Sequence, residues 1–330
     1  MPREHLKLSA ADYLERGTDF ASRTRPEDQD EALRLFDKAL DIDPNLPAAH
    51  AGIARVSTYL YTLGIDPTPR RIATAVDEGR AAVGLAPGSA SAHAALGLAL
   101  AAHDKLTPAL EEARRAAALD PRSAEAQVAL GVILRLERRI DESLVACHRA
   151  AGIEPGSPRV LVALAESLRE AERYSEAIEM YGQAIDLDHE AVVPQLGAAA
   201  TWQKGGNTET ARRLYSLILE KWDFAKSRVR LGLASLFVAS EDYERAISLY
   251  GQIEVPDDAS MPAILALYGK GYSLLRLGRD AEAEYFLSTL VDRVPRNYDG
   301  PARGREFLFR AYEDLADYFG KRGRERKVES

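Results

Sequence analysis

The chain has one cysteine, Cys147, so no intramolecular disulfide can brace it. It lacks any apolar run long enough for a bilayer. Its opening stretch, MPREHLKLSAADYLERG, has no apolar core of a secretory signal. These absences lead us to expect a cytoplasmic protein with no membrane insertion. Aromatic residues are few, 7% of the total, and runs of Val, Ile and Thr are scarce while Ala abounds. That balance disfavours a β-rich core and favours helices packed through small side chains. Excess positive charge is missing too. A formal net charge of −8 repels phosphate backbones, which argues against nucleic acid as the general partner.

The residues of familiar chemistries are also missing. No phosphate-binding loop of the GxxxxGK[ST] kind occurs, and Gly269 and Gly271 in YGKGYSLLRLG lack both a third glycine and a preceding strand. None of the six histidines pairs with another at i, i+3 or i, i+4, the spacing of a helix-borne metal site. His50 and His93 share an equivalent position, but imidazoles in the core or at a groove edge are the commoner outcome there. Cys147 falls on a buried helix contact and reads as a structural thiol. The carboxylates cluster as helix-face and helix-end charges such as EDQDE and LDP. No acid–base pair can be placed in a pocket. The expectation is no enzyme, no cofactor and no metal.

What the chain does have is one helix spelled repeatedly. EALRLFDKALDIDP at 31–44 returns as PALEEARRAAALDP at 108–121, ESLVACHRAAGIEP at 142–155 and EAIEMYGQAIDLDH at 176–189. The small residue near the start of that helix is Ala32, Ala75, Ala109, Ser143, Ala177, Ala211, Ala246 and Ala283, with spacings of 43, 34, 34, 34, 34, 35 and 37. Pro44, Pro87, Pro121 and Pro155 close the helix, with His189 in the next slot. A second apolar-periodic helix precedes each copy, and short polar turns such as LERRID and KGGNTE require the two to run antiparallel. Gly17, Gly97, Gly131 and Gly271 leave room for a neighbouring helix. One hairpin cannot bury its apolar stripe alone; a row of them can.

This period and these endings resemble the tetratricopeptide repeat family, across roughly residues 10–297. The resemblance implies an all-α, right-handed superhelical solenoid of about eight antiparallel helix pairs. The repeats fall at about 10–46, 47–89, 90–123, 124–157, 158–191, 192–226, 227–263 and 264–297. A lead at 1–9 precedes them. The first aromatic slot departs from the family pattern, holding His50, His93, Gln127 and Leu161. TRPEDQ lengthens the first repeat and LGIDPTPRR the second, and these two resemble repeat regions of bacterial multidomain signalling proteins.

After Pro295, residues 298–320 read as a helix that caps the open end of the array, with Leu308, Tyr312, Leu315 and Phe319 as its stripe. Its surplus aromatics, Phe307, Tyr312, Tyr318 and Phe319, offer a second reading as a partner or dimer surface, hence a homo-oligomer through this helix. The basic segment 321–330 reads as a disordered tail.

In the family the first helix of each repeat lines an inner groove. Carried onto this sequence, that groove is Leu98, Ala101, Val128, Val132, Arg135, Arg159, Val162, Glu166, Arg169, Leu196, Gln203, Tyr268 and Tyr272. Some members clamp a partner's C-terminal carboxylate with Lys, Asn and Arg here; these positions are mostly apolar, so that mode is not expected. The resemblance implies a scaffold that binds a protein or peptide segment. The alternatives are a ligand-sensing module acting on a separately encoded signalling enzyme, or a self-assembling structural protein.

Overall fold

The computed structural model describes residues 8–253, 261–293, 306–307, 309–317 and 320. The tail 321–330, most of the lead 1–9 and residues 298–305 of the expected cap lie outside them. The chain divides into two compact units, Met1–Gly206 and Asn207–Ser330. Among the described residues every regular element is helical.

The first unit comprises α1 (Ala10–Ser22), α2 (Pro26–Ile42), α3 (Pro47–Leu63), α4 (Pro69–Leu85), α5 (Ala90–Ala102) and α6 (Leu106–Leu119). It continues with α7 (Ala124–Leu136), α8 (Ile140–Ile153), α9 (Pro158–Glu170), α10 (Tyr174–Leu187) and α11 (Val192–Lys204). From α1 to α10, each odd helix packs on the even helix after it, and odd helices stack on the next odd helix. That is a row of hairpins in which each leans on its neighbours. The second unit holds α12 (Thr208–Lys221), α13 (Lys226–Ala239), α14 (Tyr243–Tyr250), α15 (Met261–Arg276) and α16 (Asp280–Arg293). A single 3-10 turn, Asp223–Ala225, joins α12 to α13.

Local chemistry sets the helix ends. Ser9 and Asp12 form a reciprocal cap on α1, and Ser89 and Ser123 accept from Ala92 N and Ala126 N at 3.2 and 3.1 Å. Pro26, Pro47, Pro69 and Pro158 open helices, where their missing N–H costs nothing. The turns that follow α5, α7, α9, α11, α13 and α15 each hold one left-handed residue at the same position. It is Asp104, Arg138, Glu172, Gly206, Glu241 and Gly278, with φ between 59° and 85°. The next N–H then reaches back to close the helix, as Arg139 N does to Leu134 O at 2.9 Å.

The core is built of alanines with a few large knobs. Ala32, Ala75, Ala109, Ala177, Ala211, Ala246 and Ala283 have no exposed surface, nor do Ala116, Ala150 and Ala184. Gly97 lies so near α6 that an added Cβ would stand 3.2 Å from Ala109 O. One even-helix slot changes size along the chain, being Phe36, Ala113, Cys147, Tyr181, Tyr215 and Tyr250. Wherever it is aromatic, a glycine of the following odd helix lies against the ring: Gly52, Gly197, Gly232 and Gly269. Where it is Cys147, the opposing residue is Ala163, whose carbonyl accepts from Sγ at 3.6 Å. Knob and hole are matched in volume.

Helical residues 306–307 and 309–317 cover the end of the α15–α16 hairpin. Ala311 and Leu315 are buried there in one cluster with Ile264, Leu267, Leu287 and Leu290, and Phe307 packs beside them. The capping helix is therefore present, but its packed face differs from the expected stripe. Tyr312 is 39% exposed, Ala311 and Leu315 are buried, and Phe307 beside them is half-buried. Leu308's side chain and Phe319 lie outside the described residues.

Candidate peptide-binding groove

The first-helix positions of the first unit carry an apolar floor crossed by ion pairs. Ala101, Val128 and Leu196 are buried; Leu98, Val132 and Val162 are half-buried; Arg159 is exposed. Glu125 of α7 gathers groups from other helices. Its Oε1 accepts from Arg55 Nη1 at 3.0 Å, its Oε2 from Ser91 Oγ at 2.8 Å, and Arg159 Nη1 lies 4.0 Å away. Arg135 Nη2 donates to Glu166 Oε2 at 2.6 Å. Arg169 Nη1 donates to Tyr181 Oη at 3.2 Å, while its Nε sits 3.5 Å from Glu170 Oε1, an ion pair without a hydrogen bond.

Glu170 is the second collecting carboxylate, taking Lys204 Nζ at 3.0 Å and Arg138 Nη1 at 3.2 Å. Burial opposes its ionisation, but Lys204, Arg169 and Arg135 outweigh that and hold its pKa below the usual range. Burial, with Glu166 nearby, pushes the Tyr181 phenol well up, so it stays neutral. Burial likewise raises the Cys147 thiol, which has no exposed surface and is shielded by Ser143 and Ser167. A neutral, sealed thiol is a poor nucleophile.

The two histidines do not face each other. His50 Nδ1 meets Glu78 Oε2 at 2.6 Å and its Nε2 meets Pro44 O at 3.0 Å. His93 repeats this with Glu112 at 2.5 Å and Pro87 at 3.0 Å. Gln127 Nε2 reaches Pro121 O at 3.4 Å and Gln195 Nε2 reaches His189 O at 3.1 Å. At these four positions, where the family pattern has an aromatic, the chain uses a polar latch onto the preceding turn; Leu161 in the same slot does not. Among the described residues no three His, Cys, Asp or Glu side chains converge as a metal would need. No described helix is long and apolar enough to cross a membrane.

An open cleft of about 360 Å³ lies at the same face among α1, α3 and α5. Leu14, Ala48 and Ala51 make its apolar wall, and Thr18, Arg55 and Ser91 its polar one. None of these stood among the sequence-derived groove residues. The signal was present only as small residues, Ala48, Ala51 and Ser91, in successive repeats. Tyr268 and Tyr272 belong to the second unit. Tyr268 packs on Phe307 with ring centroids 5.3 Å apart, and burial raises its phenol pKa to about 12. Of the expected aromatic surface, Phe307 is thus used in packing, Tyr312 is exposed, and Tyr318 and Phe319 fall outside the described residues.

The family model for the tetratricopeptide repeat matches residues 94–158 and 231–298, and a second model of the same description matches 160–191, together half the chain. No curated protein matches the sequence. Among solved structures the chain is similar to a dimer of human IFIT1 with m7Gppp-AAAA, at TM-score 0.70 and 16% identity, over 96% of this chain and 73% of that one. It is similar to the APC/C hetero-tetramer Cut9-Hcn1, at TM-score 0.64 and 16% identity, over 94% and 57%. TTC0263, a thermophilic TPR protein of Thermus thermophilus, matches at TM-score 0.47 and 21% identity, over 59% and 100%. At such identities the likeness to the IFIT1 and Cut9-Hcn1 structures shows the fold. The chain belongs to the tetratricopeptide repeat family.

Proposed function

We propose that the chain is a non-enzymatic scaffold that holds a partner's extended or helical segment along the first-helix groove. The observation that carries this reading is the groove itself. Leu98, Val132 and Val162 are half-buried on successive first helices, the ion pairs of Glu125 and Glu166 tie those helices together, and the α1–α3–α5 cleft has an apolar wall of its own. Each apolar anchor buried there would contribute roughly 1.5–3 kcal/mol, and the bordering charges would fix register. A cytoplasmic setting fits a lone, buried thiol.

A nucleic-acid reading fits less well. The human IFIT1 dimer was solved with m7Gppp-AAAA. Here Arg55, Arg135 and Lys204 each donate to a carboxylate, so a phosphate would have to displace Glu125, Glu166 or Glu170. The test is affinity capture from native extract with wild-type, Leu98→Glu and Val132→Glu baits. The groove reading expects the captured protein to be lost from both variants while circular dichroism stays unchanged. Its retention on both would remove the groove as the site.

A further inference from the structure

The cleft among α1, α3 and α5 owes its room to a size gradient along the odd helices. The position of Ala48 becomes Ser91, Glu125 and Arg159 in the following hairpins, and that of Ala51 becomes Ala94, Val128 and Val162, at the repeat's own spacings of 43, 34 and 34. The cleft is lined by small members of these series, Ala48, Ala51 and Ser91, and about 360 Å³ stays open there. That is the low end for ligand pockets, which run roughly 300–1,000 Å³, and it suits one bulky side chain and not a whole helix.

The wall of the cleft is apolar, but its polar groups are of one kind. Arg55 stands where the next two hairpins have Leu98 and Val132. Both of its hydrogen bonds leave from Nη1, to Ser91 Oγ at 3.1 Å and to Glu125 Oε1 at 3.0 Å. The N–H groups of Nε and Nη2 have no acceptor among the described residues. Ser89 Oγ accepts from Ala92 N at 3.2 Å and keeps its own proton to give. The donors therefore call for an oxygen. Glu125 already holds the same guanidinium, so a second carboxylate there would meet a like charge, and the oxygen that fits is neutral. Thr18 Oγ1 donates to Leu14 O at 2.9 Å and retains lone pairs that can accept a proton. Among natural side chains, tyrosine joins a bulky apolar body to a neutral oxygen at its tip.

We propose that the cleft is a recognition pocket for a tyrosine side chain of the guest segment. The ring lies against Leu14, Ala48 and Ala51, the phenol oxygen accepts from Arg55, and the phenol proton goes to Thr18. That the tyrosine belongs to a segment laid along the odd helices rests on the groove reading; the chemistry of the pocket does not.

The probes are p-cresol, toluene and p-toluate, titrated into the full chain with isotope-labelled alanine and leucine methyl groups followed by NMR. p-Cresol is expected to shift the Leu14, Ala48 and Ala51 methyls saturably, and to bind roughly three- to tenfold more tightly than toluene or p-toluate. Arg55→Leu, a change to the residue type that α5 carries at this position, should keep toluene binding and erase the preference for p-cresol. Ala48→Leu, at an exposed position, should fill the cleft and abolish binding of both. Val132→Glu, which tests the groove, should leave p-cresol binding unchanged, so pocket and groove can fail separately. No saturable shift at these methyls, equal affinity for p-cresol and toluene, tighter binding of p-toluate, or a preference that survives Arg55→Leu would overturn the proposal.

Discussion

At the scale of single residues, backbone conformation and volume decide the fold. Glu172 holds φ 61° after α9 where Gly206 holds 85° after α11. A side chain in the left-handed region costs ~1 kcal/mol or more, and glycine does not pay that cost. Glu172→Gly should therefore be neutral to stabilising by up to ~1 kcal/mol, while Gly206→Ala should destabilise by a similar amount in urea denaturation. Volume matching gives a sharper test. A methyl at Gly197 would collide with the ring of Tyr181, which has no exposed surface. Gly197→Ala should cost roughly 1–3 kcal/mol. Adding Tyr181→Cys, which restores the small-knob pairing found at Cys147 and Ala163, should leave the double variant less destabilised than the sum of the two single changes. Simple additivity would show that the pairing does not matter.

At the scale of elements, the groove's ion pairs bind one hairpin to the next, and they should respond to acid. Glu170 has a lowered pKa in the folded chain. Its contribution is therefore present above the unfolded carboxyl range, near about 4.3, and is lost as pH falls through the folded value. Stability followed from pH 7 to 3 should drop more steeply for the wild type than for Glu170→Gln, and the two should converge at the acid end. The capping helix makes a second prediction. Leu315 is buried against Leu287 and Leu290, so Leu315→Ala should cost roughly 2–4 kcal/mol in the second unit, while Tyr312→Ala should cost little. That helix also shows where sequence was a poor guide. Phe307, Leu308, Tyr312, Leu315 and Phe319 make an apolar face too wide to fix its rotation. Tyr268, distant in sequence, is part of the cluster that sets it.

At the scale of the molecule, the repeat was legible because the residues that make it are those that physics constrains most. Ala109 and Ala177 must be small, Gly97 must have no side chain, and Pro121 must end its helix. The groove was legible only in part. Leu98, Val132 and Val162 are half-buried on successive first helices, but the cleft beside Leu14, Ala48 and Ala51 is space left by absent side chains, and three repeats are needed to outline it. The Glu125, Glu166 and Glu170 networks join residues of different helices 31 to 70 positions apart, and pattern reading within one helix does not reach that far. The division after Gly206 likewise follows from contacts and not from period, since the spacing of the repeats runs through it with little change.

The most direct measurement of the central claim places a photo-crosslinking side chain at 98, 132 or 162 in the groove, and at exposed Val145 on α8 as a control, in the native cell. A guest held along the odd helices should be trapped as the same polypeptide from all three groove positions and not from 145, with the adducts mapping to one short segment in a consistent order. No adduct at any of the three, or the same adducts from 145, would contradict it.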